Sequence, residues 1–384
     1  MAKLNIWQND YKTDEFEVLI GKTQVIIPKQ RRRCPCGFLF KLLNGELVVG
    51  GAMSGIDWPT EKDPMFSGPI SQALSWRRSK DGGRTWGETP SWPTYAPYQF
   101  PDGEIIEISG RWWQVDASQH NVYNVALFRS TDNGYTFEKE RVSLFGVPKL
   151  AEMSRFWFSD WDRYANANHQ IVELHNGSLL ASAQGRFESD IKERTFVIQS
   201  NDRGKIWNYL STVAFDLTKN GIRSEGFDEP NLLVLPNGDI LCFMRSGGRG
   251  ARIARCGSLY MSRSKDNGQT WSHADPIADR GVYPTACLME NGIIAVIYGR
   301  PGDWLTFSLD QGKTWIGHFC FNQGPVAHDC GNYDWIEEVA PDTLLAIYSQ
   351  TDPNDCMKSE IMGTYFTVKP KRLKSYDKRT MGTD

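Results

Sequence analysis

The chain has 384 residues, of which 40% are hydrophobic and 23% charged, with a formal net charge of -3. This composition is typical of globular proteins and gives no reason to expect nucleic acid as a partner. No apolar run approaches the ~20 residues that a membrane span needs, and the first residues lack the apolar core of a secretory leader. We therefore expect no membrane partner and a cytoplasmic protein, or a secreted one if a leader was removed.

Six predicted β-hairpins follow one another along the chain. Each consists of an apolar run, a polar turn and a second apolar run: "LLNGELVV", "FPDGEIIEI", "ELHNGSLLAS", "VLPNGDILCF", "LMENGIIAVI" and, with a degenerate turn, "VAPDTLLAIY". Asn-Gly or Asp-Gly between two β-rich runs is a strong hairpin signal. We expect tight turns in which both central residues have positive φ.

A second phrase, Ser-x-Asp-x-Gly, follows each of the first five hairpins. The copies are "SKDGGRTW", "STDNGYTF", "SNDRGKIW", "SKDNGQTW" and "SLDQGKTW". The Ser and Asp side chains can accept hydrogen bonds from turn amides, and Gly supplies a positive φ. We interpret the phrase as a folding device, because five equivalent copies cannot all face one site. The arginines that precede it (Arg77, Arg78, Arg129 and Arg263) are expected to have structural roles on the blade surface.

The repeats predict the fold. Two hairpins per unit make a four-stranded sheet, and six units at intervals of roughly 50 to 70 residues fit radial repetition. We therefore predict an all-β fold, a six-bladed β-propeller of four-stranded antiparallel blades. Residues 1-384 would form this single domain, with the short N- and C-terminal extensions closing the ring. Long helical periodicity is absent, which argues against an α/β fold.

The five Ser-x-Asp phrases resemble the Asp-boxes (BNR repeats) of the sialidase superfamily, and their spacing is similar to that of its six-bladed propellers. The resemblance implies an exo-acting, sialidase-like (neuraminidase) glycoside hydrolase. Such an enzyme cleaves a terminal acidic nonulosonate sugar with retention, through a Tyr nucleophile. The expected partner is a sialylated or other acidic glycan. No cofactor is expected, and the cysteines lack metal-ligand spacing.

The resemblance also places six site residues. Arg33 in "RCP", Arg245 in "CFMR" and Arg300 in "YGRPGD" match the three arginines that bind the substrate carboxylate, although Cys34 departs from the family's Arg-Ile-Pro type motif. The catalytic matches are the nucleophile Tyr333 in "GNYDW", the base Glu229 in "DEPN" and the general acid Asp57 in "GIDWP". Asp63 is the alternative acid and Glu225 the alternative base.

Physical chemistry supports these residue types. Planar guanidinium groups bind a carboxylate bidentately, so three together indicate an anionic ligand. A carboxylate nucleophile would be repelled by a substrate carboxylate about 4 Å away by roughly 4 kcal/mol at an effective dielectric near 20. A neutral Tyr avoids this repulsion, but its ordinary pKa near 10 means that a base must take its proton.

Other interpretations remain open. The chain could be a propeller glycosidase or polysaccharide lyase that acts on other glycans, or a non-catalytic propeller that binds acidic glycans. In "NANH", Asn168 or His169 could contact a substrate, but we favour a hydrogen-bonded structural role.

Overall fold

The computed structural model describes residues 11–12, 15–31, 35–53, 76–90, 92–93, 96–114, 122–151, 165–167, 169–215, 226–246, 257–323, 333–352 and 355–371. All regular secondary structure in these ranges is β-strand. Within them there is accordingly no helix of the length and apolarity that a membrane span needs. The all-β prediction is confirmed.

The strands fall into six antiparallel units, called blades 1 to 6 in chain order. Two strands precede the first blade: β1 (Tyr11–Lys12) and β2 (Phe16–Arg31). Blade 1 contains β3 (Pro35–Lys41), β4 (Leu47–Met53), β5 (Trp76–Ser79) and β6 (Gly87–Glu88). Blade 2 contains β7 (Pro97–Gln99), β8 (Ile105–Gln114), β9 (Val122–Ser130) and β10 (Glu138–Phe145). The inner strand of blade 3 is broken in two, so the blade contains β11 (Ala165–Ala167), β12 (Val172–Glu173), β13 (Leu179–Gly185), β14 (Arg194–Ser200) and β15 (Ile206–Ala214).

The remaining blades continue the pattern. Blade 4 contains β16 (Phe227–Val234), β17 (Ile240–Ser246), β18 (Leu259–Ser264) and β19 (Asp275–Ala278). Blade 5 contains β20 (Val282–Leu288), β21 (Ile294–Gly299), β22 (Asp303–Ser308) and β23 (Ile316–Asn322). Blade 6 contains β24 (Trp335–Ala340), β25 (Thr343–Asp352), β26 (Asp355–Pro370) and, beyond β26, the early strand β2. Blade 6 therefore combines strands from both ends of the described chain. Blades 2 and 3 share one sheet, because β10 pairs in parallel with β15.

Hydrogen bonds link each blade to the next and the last blade to the first. They join Leu43 N to Gln99 Oε1, Ile171 N to Pro97 O, His169 Nδ1 to Pro230 O, Tyr283 N to Glu229 Oε2, Thr285 Oγ1 to Asp334 O, and Gly37 N to Tyr333 O, at 2.8 to 3.2 Å. The inner strands and their flanking residues thus surround a common axis. Apolar side chains fill the space between blades, and Trp92, Trp207 and Trp335 are among the largest fully buried ones.

The hairpins lie where the sequence predicts them, but the predicted turn geometry is wrong. The turn glycines have φ between 79° and 95°. The described Asn or Asp that precedes each glycine does not have positive φ. Each glycine amide donates to the carbonyl three residues earlier, for example Gly45 N to Leu42 O at 2.8 Å. This is a type I turn followed by a left-handed glycine. The preceding side chain caps the turn, since Asn44 Oδ1 accepts from Glu46 N at 3.0 Å.

The Ser-x-Asp-x-Gly phrases form the expected self-bonded turns. In the first copy, Ser79 Oγ accepts from Gly83 N at 2.8 Å, while the Asp81 carboxylate accepts from Thr85 N at 2.9 Å and Thr85 Oγ1 at 2.7 Å. The other four copies repeat the Ser and Asp bonds to backbone amides. The bonds from Thr85, followed by the one from Ser79, lower the pKa of Asp81 to about 2.

Three arginines before these phrases tie neighbouring blades together. Arg129 and Arg263 are half-buried, whereas Arg78 is buried, so its expected place on the blade surface is wrong. Arg78 is only 5% exposed, pairs with Glu46 at 2.7 Å and donates to Asn133 O of blade 2 at 2.8 Å. The other two arginines repeat this arrangement: Arg129 binds Glu104 and Arg203 O, and Arg263 binds Asp239 and Gln311 O. Each guanidinium therefore joins an acid of its own hairpin to the carbonyl of the next blade's turn.

Candidate active site

Four of the six predicted site residues belong to the described part of the chain, and all four lie at one end of blades 4 to 6. Glu229 is near the start of inner strand β16, and Arg245 is near the end of the adjacent β17. Arg300 follows β21 directly, and Tyr333 lies two residues before β24. The start of an inner strand and the end of its antiparallel neighbour share one edge of a blade. The topology therefore brings these side chains to the same end, opposite the Ser-x-Asp turns.

Glu229 is the best-defined carboxylate of the site. Its Oε1 accepts from Arg245 Nη1 at 2.7 Å, and its Oε2 accepts from the Tyr283 amide at 2.9 Å. Asp228 Oδ1 lies 3.8 Å from Arg245 Nε. The Glu229 backbone amide donates to Gln184 Oε1 of blade 3. Contacts with blades 4 and 5 therefore hold the carboxylate, and a contact with blade 3 holds the backbone of the same residue.

Tyr333 is half-buried and lies against two neighbours from blade 5. Its ring centroid is 4.7 Å from that of Tyr283, with the planes tilted by 54°. Arg300 Cζ is 5.6 Å from the Tyr333 ring centroid. Tyr283 thus contacts Glu229 through its backbone and Tyr333 through its ring. Together the contacts form a series: Arg245, Glu229, Tyr283, Tyr333 and Arg300.

Two fully buried aspartates accompany Arg300. Asp303 and Asp334 have no exposed surface, and Asp303 Oδ2 accepts from Asn322 Nδ2 at 2.6 Å. Burial, followed by the Asp303 carboxyl, raises the pKa of Asp334 well above its ordinary value, and the Arg300 guanidinium opposes this rise. Two like carboxyls in one buried place favour a shared proton.

A buried aromatic group lies beneath Tyr283 and is formed with His169 and Trp335. The His169 ring is 4.2 Å from Tyr283 and 5.2 Å from Trp335, centroid to centroid. His169 is 1% exposed, and its Nδ1 donates to Pro230 O at 2.9 Å. Burial lowers the pKa of His169 to about 3, so the imidazole is neutral near pH 7. These contacts agree with the hydrogen-bonded structural role favoured for His169.

Backbone strain is concentrated at this site. His169, Glu229, Tyr283 and Arg300 have φ of 61°, 49°, 47° and 57°, in the left-handed region that residues other than Gly, Asn and Asp rarely adopt. Such conformations persist only where the surrounding structure holds them, and they are most common at functional sites. The four residues come from three different blades, so this strain depends on the assembled fold.

Tyr283, Asp303 and Asp334 are site residues that motif reasoning missed, but a signal for Tyr283 was present. Glu229, Tyr283 and Tyr333 each stand nine positions before the positive-φ residue of the following hairpin turn: Gly238, Gly292 and Asp342. The three residues therefore occupy equivalent places in successive repeats. Aligning the repeats on their turns would have placed Tyr283 beside the other two.

The remaining predicted residues lie outside the described ranges. These are Arg33 and Asp57, with the alternatives Asp63 and Glu225, and Asn168.

Comparison with known proteins identifies relatives along most of the chain. A profile of the family described as "BNR repeat-like domain" matches residues 94–361. A sialidase of Micromonospora viridifaciens is 23% identical over 329 residues, which cover 74% of this chain and 45% of that protein. The chain therefore spans less than half the length of this curated relative.

Solved structures share the fold. A protein of unknown function from Dyadobacter fermentans is 19% identical, with a TM-score of 0.65 over 92% of this chain and 99% of that chain. The GH93 α-L-arabinofuranosidase of Fusarium graminearum, solved with arabinobiose, is 15% identical, with a TM-score of 0.62 over 90% and 97% of the two chains. At these identities the matches show the fold alone, and the predicted β-propeller is confirmed.

Proposed function

This chain belongs to the family of BNR repeat-like domains in the sialidase superfamily, and from this premise we propose that it is a glycoside hydrolase. We propose further that it is exo-acting and releases a terminal acidic nonulosonate sugar, such as sialic acid, with retention of configuration. The observation that carries the proposal is the series of contacts from Arg245 through Glu229, Tyr283 and Tyr333 to Arg300. It joins two cationic groups, a carboxylate and a phenol from three blades, which supply the nucleophile, its base and two of the three arginines that this reaction needs.

The proposed reaction is a double displacement. The Tyr333 oxygen attacks the anomeric carbon, Glu229 takes the phenolic proton, and Asp57 gives a proton to the departing glycosidic oxygen. Water then cleaves the tyrosyl-glycoside, with Asp57 acting as base and the Tyr333 phenol recovering its proton. The roles of Asp57 and Arg33 rest on the family resemblance alone.

The arginines would bind the substrate carboxylate. Arg245 and Arg300 flank the Glu229 and Tyr333 pair, and Arg33 would complete the group. Planar guanidinium groups match a carboxylate with two parallel hydrogen bonds, which fixes the anomeric carbon relative to the nucleophile. A neutral phenol is suited to this position because it does not repel the bound anion.

Hydrolysis of a neutral glycan is the second candidate function, and one observation favours it. Arg245 already pairs with a protein carboxylate, Glu229, at 2.7 Å. Its charge is thus partly neutralised without an acidic ligand. The Fusarium graminearum neighbour, an arabinofuranosidase by name, acts on a neutral sugar.

A paired substrate assay tests the proposal. The wild type and Tyr333→Phe are assayed on a fluorogenic sialoside and on a fluorogenic α-L-arabinofuranoside, with Tyr135→Phe in an exposed turn as the matched control. We expect hydrolysis of the sialoside, with kcat at least about a hundredfold lower in Tyr333→Phe and unchanged in Tyr135→Phe. Turnover of the arabinofuranoside alone would support the second candidate. Binding of acidic glycans without turnover of either substrate would refute both.

A further inference from the structure

We propose that Tyr283 is a positioning residue that sets the distance and orientation between Glu229 and Tyr333. The proposal rests on the proposed function, in which these two residues are base and nucleophile. Tyr283 contacts both: its amide donates to Glu229 Oε2 at 2.9 Å, and its ring lies 4.7 Å from the Tyr333 ring.

The amide contact depends on an unusual backbone conformation. Tyr283 has φ of 47°, at a bulge where the pairing of β20 with β21 shifts between Val282 and Thr285. Glu229 has φ of 49° at the corresponding bulge in blade 4, between Asp228 and Asn231. A bulge redirects one residue out of the regular ladder. Here the bulge of blade 5 turns an amide toward the carboxylate that the bulge of blade 4 presents.

The ring of Tyr283 also packs against His169. Tyr283 is 7% exposed, and the Nδ1 of His169 donates to the carbonyl of Pro230, the residue after Glu229. The contacts therefore form a closed circuit from Glu229 to Tyr283, to His169 and back to Pro230. These contacts fix the Tyr283 backbone against Glu229 and the Tyr283 ring against His169.

Tyr333 lies outside this circuit and rests on it. It is the more exposed of the two tyrosines, and its ring packs against the Tyr283 ring at a tilt of 54°. Loss of the Tyr283 ring would remove one packing contact of the Tyr333 ring and would open that face to water, while Arg300 would still lie against Tyr333. The amide that binds Glu229 would remain. Removal of the ring therefore abolishes the contact with Tyr333 and keeps the contact with Glu229.

The test replaces the ring without straining the backbone. Tyr283→Gly keeps the amide and adopts positive φ readily, and Tyr283→Asn, which also tolerates this conformation, serves if the glycine variant does not fold. Tyr283→Phe restores the ring without the hydroxyl. The matched control is Asn267→Gly, an exposed residue with φ of 58° in a remote turn.

Two measurements are made on the folded proteins. The first is the rate at which N-acetylimidazole acetylates Tyr333, read by peptide mass spectrometry, with the fully buried Tyr123 as internal reference. The second is kcat and KM on the glycoside that the wild type hydrolyses. We expect Tyr283→Gly to acetylate at Tyr333 at least about fivefold faster with Tyr123 unchanged, and to lose about tenfold or more in kcat with KM within about twofold. Tyr283→Phe should return both the acetylation rate and kcat most of the way to the wild-type values, and Asn267→Gly should match the wild type.

The outcomes separate this inference from the proposed function. If no glycoside is hydrolysed, the proposed function fails, but the acetylation rates still decide whether Tyr283 holds Tyr333. Unchanged acetylation in both ring-deleted variants would overturn the inference. So would a Tyr283→Phe variant as impaired as Tyr283→Gly, or a parallel rise in Tyr123 acetylation, which would indicate general loosening of the fold.

Discussion

Glu229 Oε1 accepts a hydrogen bond from Arg245 Nη1 at 2.7 Å, and both side chains are about nine-tenths buried, at 10% and 11% exposed. The two residues lie on adjacent antiparallel strands, where Arg245 is paired with Asp228. A charge in such a place is stabilised mainly by its partner, because little water reaches it.

The first prediction concerns this pair. Glu229→Gln and Arg245→Met should each lower the free energy of unfolding by about 3 to 5 kcal/mol, since each breaks a buried ion pair by removing one of its two charges. The double variant should lose less than the sum of the two, with a coupling energy of about 1 to 3 kcal/mol. Urea unfolding of the four proteins measures the cycle. Additive losses would show that the two side chains do not stabilise each other.

Arg300 carries a kinetic prediction. Arg300→Ala should raise KM and lower kcat together, each by about tenfold or more, because the guanidinium is proposed both to bind the substrate and to orient it beside Tyr333. Steady-state kinetics on the glycoside identified by the substrate assay provides the measurement. The exposed Arg84→Ala serves as control and should match the wild type. Wild-type kinetics in Arg300→Ala would remove Arg300 from the site.

Arg78 and its neighbour Arg77 offer a matched pair for a stability prediction. Arg78→Met should cost about 3 kcal/mol, because it breaks a buried ion pair with Glu46 and a bond to the Asn133 carbonyl of the next blade. Arg77→Met should cost less than about 1 kcal/mol, since its partner Glu88 is 91% exposed and 3.8 Å away. Urea denaturation compares the two variants. Equal losses would contradict the proposed link between blades.

Glu337 gives a prediction about pH. Burial, which outweighs its hydrogen bond from Gln170, raises the pKa of Glu337 to about 7 from an ordinary 4.5. The folded protein therefore holds this proton more tightly than the unfolded chain, and stability falls as pH rises from about 4.5 to about 7. Glu337→Gln removes the titration. Its stabilising effect should be absent near pH 4, grow through this window and stay constant above it, with an upper limit on the order of 3 kcal/mol.

Thermal unfolding at several pH values measures the effect. Glu138→Gln, at an exposed position, is the control and should show no such trend. A Glu337→Gln effect that is independent of pH would mean that Glu337 titrates normally in the folded protein.

The parts of the fold that sequence reasoning predicted are those with local causes. The hairpins and the Ser-x-Asp turns lie where expected because their bonds join residues two to four positions apart, as between Ser79 and Gly83. The turn type was wrong: Asn44 could have taken positive φ, but its side chain caps the backbone two residues later instead. Composition at a turn does not decide between these outcomes.

The parts that sequence reasoning missed depend on contacts between blades. Arg78 appeared to be a surface residue because its carbonyl partner on Asn133 lies 55 positions away. No motif in the sequence marked Asp303 or Asp334. The two carboxyls come together only when blades 5 and 6 pack against each other. Resemblance to family motifs identified four site residues separately: Glu229, Arg245, Arg300 and Tyr333. It did not identify Tyr283, which connects Glu229 with Tyr333.

By itself the sequence determined the repeating unit: strands, turns and their order, since turn chemistry and apolar alternation act within about ten residues. Only the tertiary structure decided that Tyr283 stands between Glu229 and Tyr333. The Tyr283 amide and the Glu229 carboxylate are 54 positions apart in the chain, and they meet because blades 4 and 5 pack side by side around one axis. The burial and strained backbone of the site arise from that packing, which no local stretch of residues specifies.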